Sequence, residues 1–293
     1  MVFISSKIML YSGLGANPFC TQALENQLRD LSDDRMHTVC RFDGVAALGN
    51  EREIRAIIIP GGNANQIYFG SGLAGNEEGF IRKIDEHKIA CYGACAGAIL
   101  ASEALYNEIP TPSIRNNTKF HEVGQSFLGL FPGKVIAPLI SRSSQEQMSL
   151  SDFNILSIKS TYRDEPINSV HILGPAFLHA ERVPRTEVLS IYAKPFNVTL
   201  GDVKEDIYKT STYISSREIS ESIYHRRMSG APILLTSSHP EIDSTIVSSE
   251  GFREGVQITR YEQKQLVSMM KVDDEKRIDL MKRNFEKIGI QCK

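Results

Sequence analysis

A chain of 293 residues with 41% hydrophobic and 23% charged side chains can bury a large core, and α/β folds of roughly 200–250 residues often close around a single one. The formal net charge of −2 provides no clustered excess of Lys and Arg for tracking phosphates, so no nucleic-acid partner is expected. No apolar run approaches the roughly 18 residues that would span a bilayer, which excludes an integral membrane protein.

The chain opens on an apolar stretch interrupted by Lys7 and lacking an A-x-A cleavage pattern, which reads as a first strand (Lys7–Ser12) and not as a leader. Next come a helix over Pro18–Leu31, started by Asn17 and Pro18, and strands at His37–Phe42 and Arg55–Pro60. A glycine-punctuated loop (Gly61–Gly75), a helix near Glu77–Glu86, a strand at Lys88–Tyr92 and a helix from Cys95 to about Tyr106 follow. This βαβ order predicts a flavodoxin-like, doubly wound parallel sheet, with ligands at the carboxyl ends of its strands.

From about Lys134 to Thr236 short β-rich runs (Lys134–Leu139, Phe153–Thr161, Ser169–Leu173, Val188–Ala193, Pro232–Leu235) predict an antiparallel β extension. The serine-rich stretch Ser141–Ser151 reads as an exposed loop. Residues 262–288 form a C-terminal helical segment whose Ile278, Met281, Phe285 and Ile288 make one apolar stripe, suited to closing over the body and less so to binding a partner helix. The expected organisation is a domain over 1–252 with an extension, 253–293, packed on it.

Five cysteines (Cys20, Cys40, Cys91, Cys95, Cys292) without CxxC or Cys/His spacing indicate neither a disulfide framework nor a structural zinc site, and a reducing, cytoplasmic setting is expected. No cofactor and no metal are expected. Gly13-Leu14-Gly15 begins like a dinucleotide fingerprint, but Pro18 stands where a third glycine is needed.

The chemistry-bearing signal is Gly93-Ala94-Cys95-Ala96-Gly97. Glycines two residues either side of a nucleophile let a strand turn sharply into a helix and leave Cys95 at the helix N-terminus, where the dipole favours thiolate. Tight packing around a small buried Cys would produce the same pattern. A thiolate nucleophile needs a base and the base an orienting acid. After the run ending at Thr236 comes His239-Pro240-Glu241, in which an extended segment would let Glu241 hold the His239 ring against Cys95; His121, His171, His179 and His225 have no equally placed acid. The strand ending in Pro60-Gly61-Gly62-Asn63 allows close backbone approach, so the N–H groups of Gly62 and Ala96 are the candidate oxyanion hole. Gly61, Asn63 and Tyr68 are candidate substrate contacts.

These residues resemble those of the N-terminal domain of eukaryotic-type biotin–protein ligases, within the class I glutamine-amidotransferase-like superfamily. Leu10–Gly15 is similar to the family's opening strand and turn, Ile58–Gly62 to its Pro-Gly-Gly loop and Gly93–Ala98 to its Cys-Ala-Gly elbow. Leu130–Gly133 and His171–Phe177 resemble later segments, and the likeness runs over roughly residues 7–245. The resemblance implies Cys95 as nucleophile, His239 as base and Glu241 as orienting acid, attacking a carboxamide through a thioester. Ala98 and Ile99 stand where such amidotransferases commonly carry Gln, and no Gly/Arg-rich biotin-nucleotide loop occurs, so biotinylation by this chain alone is not expected. The expected activity is that of a cysteine-dependent amide hydrolase or amidotransferase acting on a small-molecule amide or peptide-like substrate, with a partner protein possible; the alternatives are a catalytically silent regulatory or ligand-binding domain and a cysteine peptidase.

Overall fold

The computed structural model describes residues 5–48, 51–106, 127–137, 140–141, 153–172, 174–193, 196–199, 201–202, 207–208, 212–214, 219–255 and 258–293. Nine strands make the central sheet: β1 (Ser6–Tyr11), β2 (His37–Phe42), β3 (Ile54–Ile59), β4 (Ala90–Ala94), β5 (Phe153–Ser160), β6 (Ile167–Ile172), β7 (Thr186–Tyr192), β8 (Ser222–Arg226) and β9 (Pro232–Thr236). They lie in the order β2-β1-β3-β4-β9-β8-β7-β5-β6. The first five are parallel, and from β8 outward every pairing is antiparallel. A smaller four-stranded sheet joins Ser102–Tyr106, Phe131–Ile136, Ala176–Leu178 and Ile219–Ser220.

Helices cover both faces because the parallel strands are apolar on both. Met9, Tyr11, Ile57 and Ile59 pack with Ile67 of α2 (Ala64–Gly70), Phe80 and Ile84 of α3 (Glu77–His87) and Ala98 and Leu100 of α4 (Ala96–Ala101). Their neighbours in sequence, Ile8, Leu10, Ala56 and Ile58, point the other way, as the two-residue period requires, onto Leu24 and Leu28 of α1 (Pro18–Leu31). Met281 and Phe285 of the last helix, Asp274–Lys287, join that same layer together with Ile288 and Ile290. The C-terminal helical segment is thus a structural part of one face of the sheet. Ile278 departs from the expected stripe and is 39% exposed, while Leu280 is buried against Ile158, Ile167 and Tyr192.

Three local expectations are corrected. The helix after Cys95 ends at Ala101: Ser102 donates its hydroxyl to the Ala98 carbonyl (2.8 Å), its backbone turns extended, and the next residues pair in parallel with Phe131–Ile136, so tertiary pairing overrides helical propensity. The Gly61–Gly75 loop contains a helix of its own, α2, capped by the Asn63 side chain accepting from the Gln66 N–H. The segment over 262–288 is two helices, Arg260–Lys271 and Asp274–Lys287, the first started by a capping box of Thr259 and Glu262. Residues 142–151 of the serine-rich stretch lie outside the described residues, as do His121, Pro138, Leu139 and Leu173.

The antiparallel extension curls back over the parallel half. The outermost strand, β6, bonds to the segment leaving β9, with the His239 N–H donating to the Val170 carbonyl at 2.6 Å. The last helix is pinned to this outer strand by Arg277, whose guanidinium donates to the carbonyls of Asn168 (2.7 Å) and Met270 (2.6 Å) and to Asp274 while its side chain is only 1% exposed. Removing a buried charge partner leaves its acceptors without compensation. Arg277→Ala is therefore expected to lower unfolding stability by about 3 kcal/mol, read as a shift of the urea midpoint at unchanged slope.

Candidate functional site

Cys95 lies between β4 and α4 with φ 51° and ψ −107°, a left-handed backbone rarely adopted by a residue with a side chain. The flanking glycines make that turn possible by contact as well as by flexibility. A Cβ on Gly93 would stand 2.7 Å from the Gly97 carbonyl group, and one on Gly97 would stand 2.2 Å from the Ile59 oxygen. Strand, helix and neighbouring strand therefore touch backbone to backbone. The Cys95 N–H donates to the Thr236 carbonyl (2.9 Å), tying the elbow to the end of β9. Ala96 is the first residue of α4, and its N–H, like others in a first turn, has no acceptor within the helix.

The residues after β9 are fixed by a buried carboxylate that sequence reasoning did not single out. One Glu221 oxygen accepts from the Thr236 hydroxyl (2.7 Å), the Ser238 N–H (3.0 Å) and the Ser238 hydroxyl (2.5 Å); the other accepts from Ser190. The Ser237 N–H donates to the Glu221 carbonyl (2.8 Å), and the Tyr192 and Ser237 hydroxyls are bonded at 2.7 Å. The one available signal in the sequence was an acid set between Ser220 and Ser222, with Ile219 and Ile223 outside them.

This framework delivers His239, 1% exposed, beside Glu241, 0% exposed, with Nδ1 and Oε1 2.8 Å apart. The segment is a turn, closed by the Ile242 N–H donating to the His239 carbonyl (3.1 Å), and not the extended stretch expected; Pro240 supplies the fixed φ that the turn needs. Burial pushes the imidazole's pKa down, but Cys20 first and then the adjacent Glu241 carboxylate oppose it, and the net direction is well above the ordinary histidine value. Cys95 adds a smaller upward push, and its thiol, 5% exposed, donates to the Ile172 carbonyl at the end of β6 (3.2 Å).

The Pro60-Gly61-Gly62 loop forms a wall of the site. It is laced to the turn after β1 by the Asn17 N–H on the Gly61 carbonyl and the Asn63 N–H on the Gly15 carbonyl, both 2.8 Å. Gly62 has φ 150°, and a Cβ there would stand 2.0 Å from the Gly15 oxygen. A Cβ on Gly61 would stand 2.3 Å from His239 Cε1 and 3.1 Å from Cys20 Sγ. Cys95, His239, Glu241 and Gly61 are thus brought together. Asn63 serves as the cap of α2, and Tyr68 is turned to Glu77, to which it donates, with its ring against Phe69 and Phe127.

Cys20 is a member of the cluster that the sequence reading missed. Its Sγ, a ring nitrogen of His239 and a carboxylate oxygen of Glu241 lie within 4.8 Å of one another, making these the residues that could hold a metal among those described. Burial pushes the Cys20 thiol's pKa up, against the pull of His239.

The family model for the biotin–protein ligase N-terminal region matches residues 6–293. The chain belongs to the biotin–protein ligase N-terminal family. No curated protein matches it. Among solved structures it is similar to a glutamine amidotransferase (TM-score 0.52, 14% identity, covering 97% of this chain and 99% of that one). A second, a glutamine amidotransferase from Thermotoga maritima, aligns with TM-score 0.52 and 9% identity over 97% of this chain and 98% of that one. These likenesses show that the chain has a glutamine-amidotransferase-like fold. No helix among the described residues is long and apolar enough to cross a membrane.

Beneath the site of this family member lies His171, wholly buried, with neither ring nitrogen hydrogen-bonded among the described residues and its ring 6.5 Å from that of Tyr192. Burial first, then the charge of His239, pull its pKa down to about 3.

Two predictions follow from this packing. Gly61→Ala is expected to displace the imidazole, slow alkylation of Cys95 at neutral pH and cost roughly 1–3 kcal/mol, whereas Gly79→Ala, where nothing lies within 4 Å, should be neutral or stabilising; mass-spectrometric alkylation rates and urea midpoints read both. For His171 the unfolded chain takes up the proton near pH 6.5 and the folded chain only near 3, so its contribution is full above 6.5 and is lost as pH falls between the two values. Stability should decline there by up to about 1.4 kcal/mol per pH unit on this account, a slope that His171→Leu removes from urea unfolding measured as a function of pH.

Proposed function

We propose that this chain is a cysteine-dependent amide hydrolase or amidotransferase-like protein in which Cys95 is the nucleophile, His239 the general base and Glu241 the acid that orients it. The observation that carries this reading is the 2.8 Å contact between His239 Nδ1 and Glu241 Oε1, which leaves Nε2 as the nitrogen available to a thiol. Membership of the biotin–protein ligase N-terminal family and the amidotransferase-like fold support it.

In the proposed reaction His239 takes the Cys95 proton, and the thiolate attacks the carbonyl carbon of an amide. The oxyanion so formed is met by the backbone N–H groups of Ala96 and Gly62. His239 then passes the proton to the leaving nitrogen, giving a thioester that water or an acceptor amine resolves. Glu241 holds the ring's tautomer and stabilises the imidazolium. The substrate class is a small-molecule amide or a peptide-like carboxamide, and use by a partner protein is part of the proposal. All five cysteines are free thiols, which supports a reducing, cytoplasmic setting.

A second reading, a catalytically silent regulatory or ligand-binding domain, is favoured by one observation. Cys95, His239 and Glu241 are all nearly inaccessible, and the Cys95 thiol is engaged by the Ile172 carbonyl. The deciding measurement is the pH dependence of alkylation at Cys95 against the other four cysteines, in the wild type and in His239→Ala. The enzyme reading expects selective Cys95 modification with a low apparent pKa that rises when His239 is removed. Slow, His239-independent modification would transfer the assignment to the silent domain.

A further inference from the structure

Cys20 has no part in the chemistry just described, yet it is built into the same cluster. It sits in the first turn of α1, which is fixed where Asn17 Oδ1 accepts from the N–H groups of Phe19 (2.9 Å) and Cys20 (3.3 Å). Its side chain is 1% exposed, and its sulfur is within 4.8 Å of a His239 nitrogen and a Glu241 oxygen. A second, independent observation concerns Glu241. Its Oε1 is committed to His239, while Oε2 is buried with no hydrogen-bond partner among the described residues. A carboxylate oxygen left alone out of water is costly, and a cation is one thing that satisfies it.

The donor types select the cation. Sulfur, imidazole nitrogen and one carboxylate oxygen suit zinc, which holds them at about 2.3, 2.0–2.1 and 2.0–2.2 Å and leaves a fourth position open. Calcium and magnesium demand oxygen ligands and coordination shells that two apolar-walled, non-oxygen donors cannot provide. Charge balances as well: a thiolate and a carboxylate together neutralise a dication, which a buried site requires. The backbone at Gly61, with no room for even a methyl group beside Cys20 and His239, leaves none for an organic group.

We propose that Cys20, His239 and Glu241 bind a thiophilic divalent cation such as zinc, and that its binding silences Cys95 by removing the base. On binding, the Cys20 thiol and the His239 imidazolium each release a proton to solvent, the sulfur–metal and nitrogen–metal bonds form, and the Glu241 carboxylate completes the protein's three donors. The silencing half rests on the assignment of His239 as base, while the binding half does not.

The test uses the full chain stripped of metal with a chelator, and cobalt(II) as the probe. One equivalent of cobalt per chain should give a near-ultraviolet thiolate charge-transfer band and the visible absorption of a tetrahedral ion. Both should be lost in Cys20→Ser and in Cys20→Ala, each checked for folding by circular dichroism, and retained in Cys40→Ser. Zinc should displace the cobalt and slow Cys95 alkylation at least about tenfold, with recovery on chelation and no effect in Cys20→Ser. Absence of the bands, or bands that survive both Cys20 variants, overturns the site. Bands that depend on Cys20 in a protein whose metal-free Cys95 alkylation ignores His239 would uphold the site and overturn the catalytic assignment instead.

Discussion

Side chains cannot be accommodated at residues 93 and 97, and much of the molecule is arranged around that exclusion. Because Gly93 meets Gly97 and Gly97 meets the Ile59 carbonyl, three successive elements approach at backbone distance. That closeness puts the start of α4 directly over the ends of β3 and β4. It also forces Cys95 into a left-handed backbone that only a rigid surround maintains. The N–H of Cys95 is then anchored to Thr236, so the turn that carries Cys95 also locates the strand that leads into His239.

Burial has a comparable effect on the far side of the site. His239 and Glu241 are withdrawn from water almost completely, and each is tolerable there because of the other. Glu221, equally buried, has a different role: its two oxygens gather hydroxyls and an N–H from β7, β9 and the residues beyond, converting a flexible exit loop into a fixed platform. The histidine is thus positioned by one carboxylate through the backbone and by another through its ring. His171, below them, stays neutral under the same burial because no partner compensates its charge.

Local patterns carried much of this in advance. The glycine spacing around Cys95, the buried strand opening into Gly61-Gly62 and the His239-Pro240-Glu241 triplet are short-range features visible in the residue types, although the triplet folds as a turn and not as the extended stretch expected. The parallel half of the sheet was legible for the same reason, since continuous apolar runs alternate with helical periodicity. What stayed hidden depends on contacts distant in sequence. Cys20 reads as an ordinary apolar position of α1 until the loop at Gly61 carries it against His239. Ser102–Tyr106 has helical composition and becomes a strand through pairing with Phe131–Ile136. Arg277 looks like one more charge on a charged helix, and only the carbonyls of Asn168 and Met270 reveal why it is buried.

The bond between Val170 and His239, and that between Cys95 and Ile172, have a consequence for the order in which the molecule matures. Both join residues far apart along the chain, and His239 is made long after Cys95. At roughly 5–20 residues per second, synthesis separates Cys95 from His239 by on the order of ten seconds. During that interval the nascent chain carries Cys95 without the His239 imidazole, and β6 lacks the segment to which Val170 bonds. The cluster is therefore completed late, so a chain truncated during translation before residue 239 would present the Cys95 sulfur without its neighbouring imidazole.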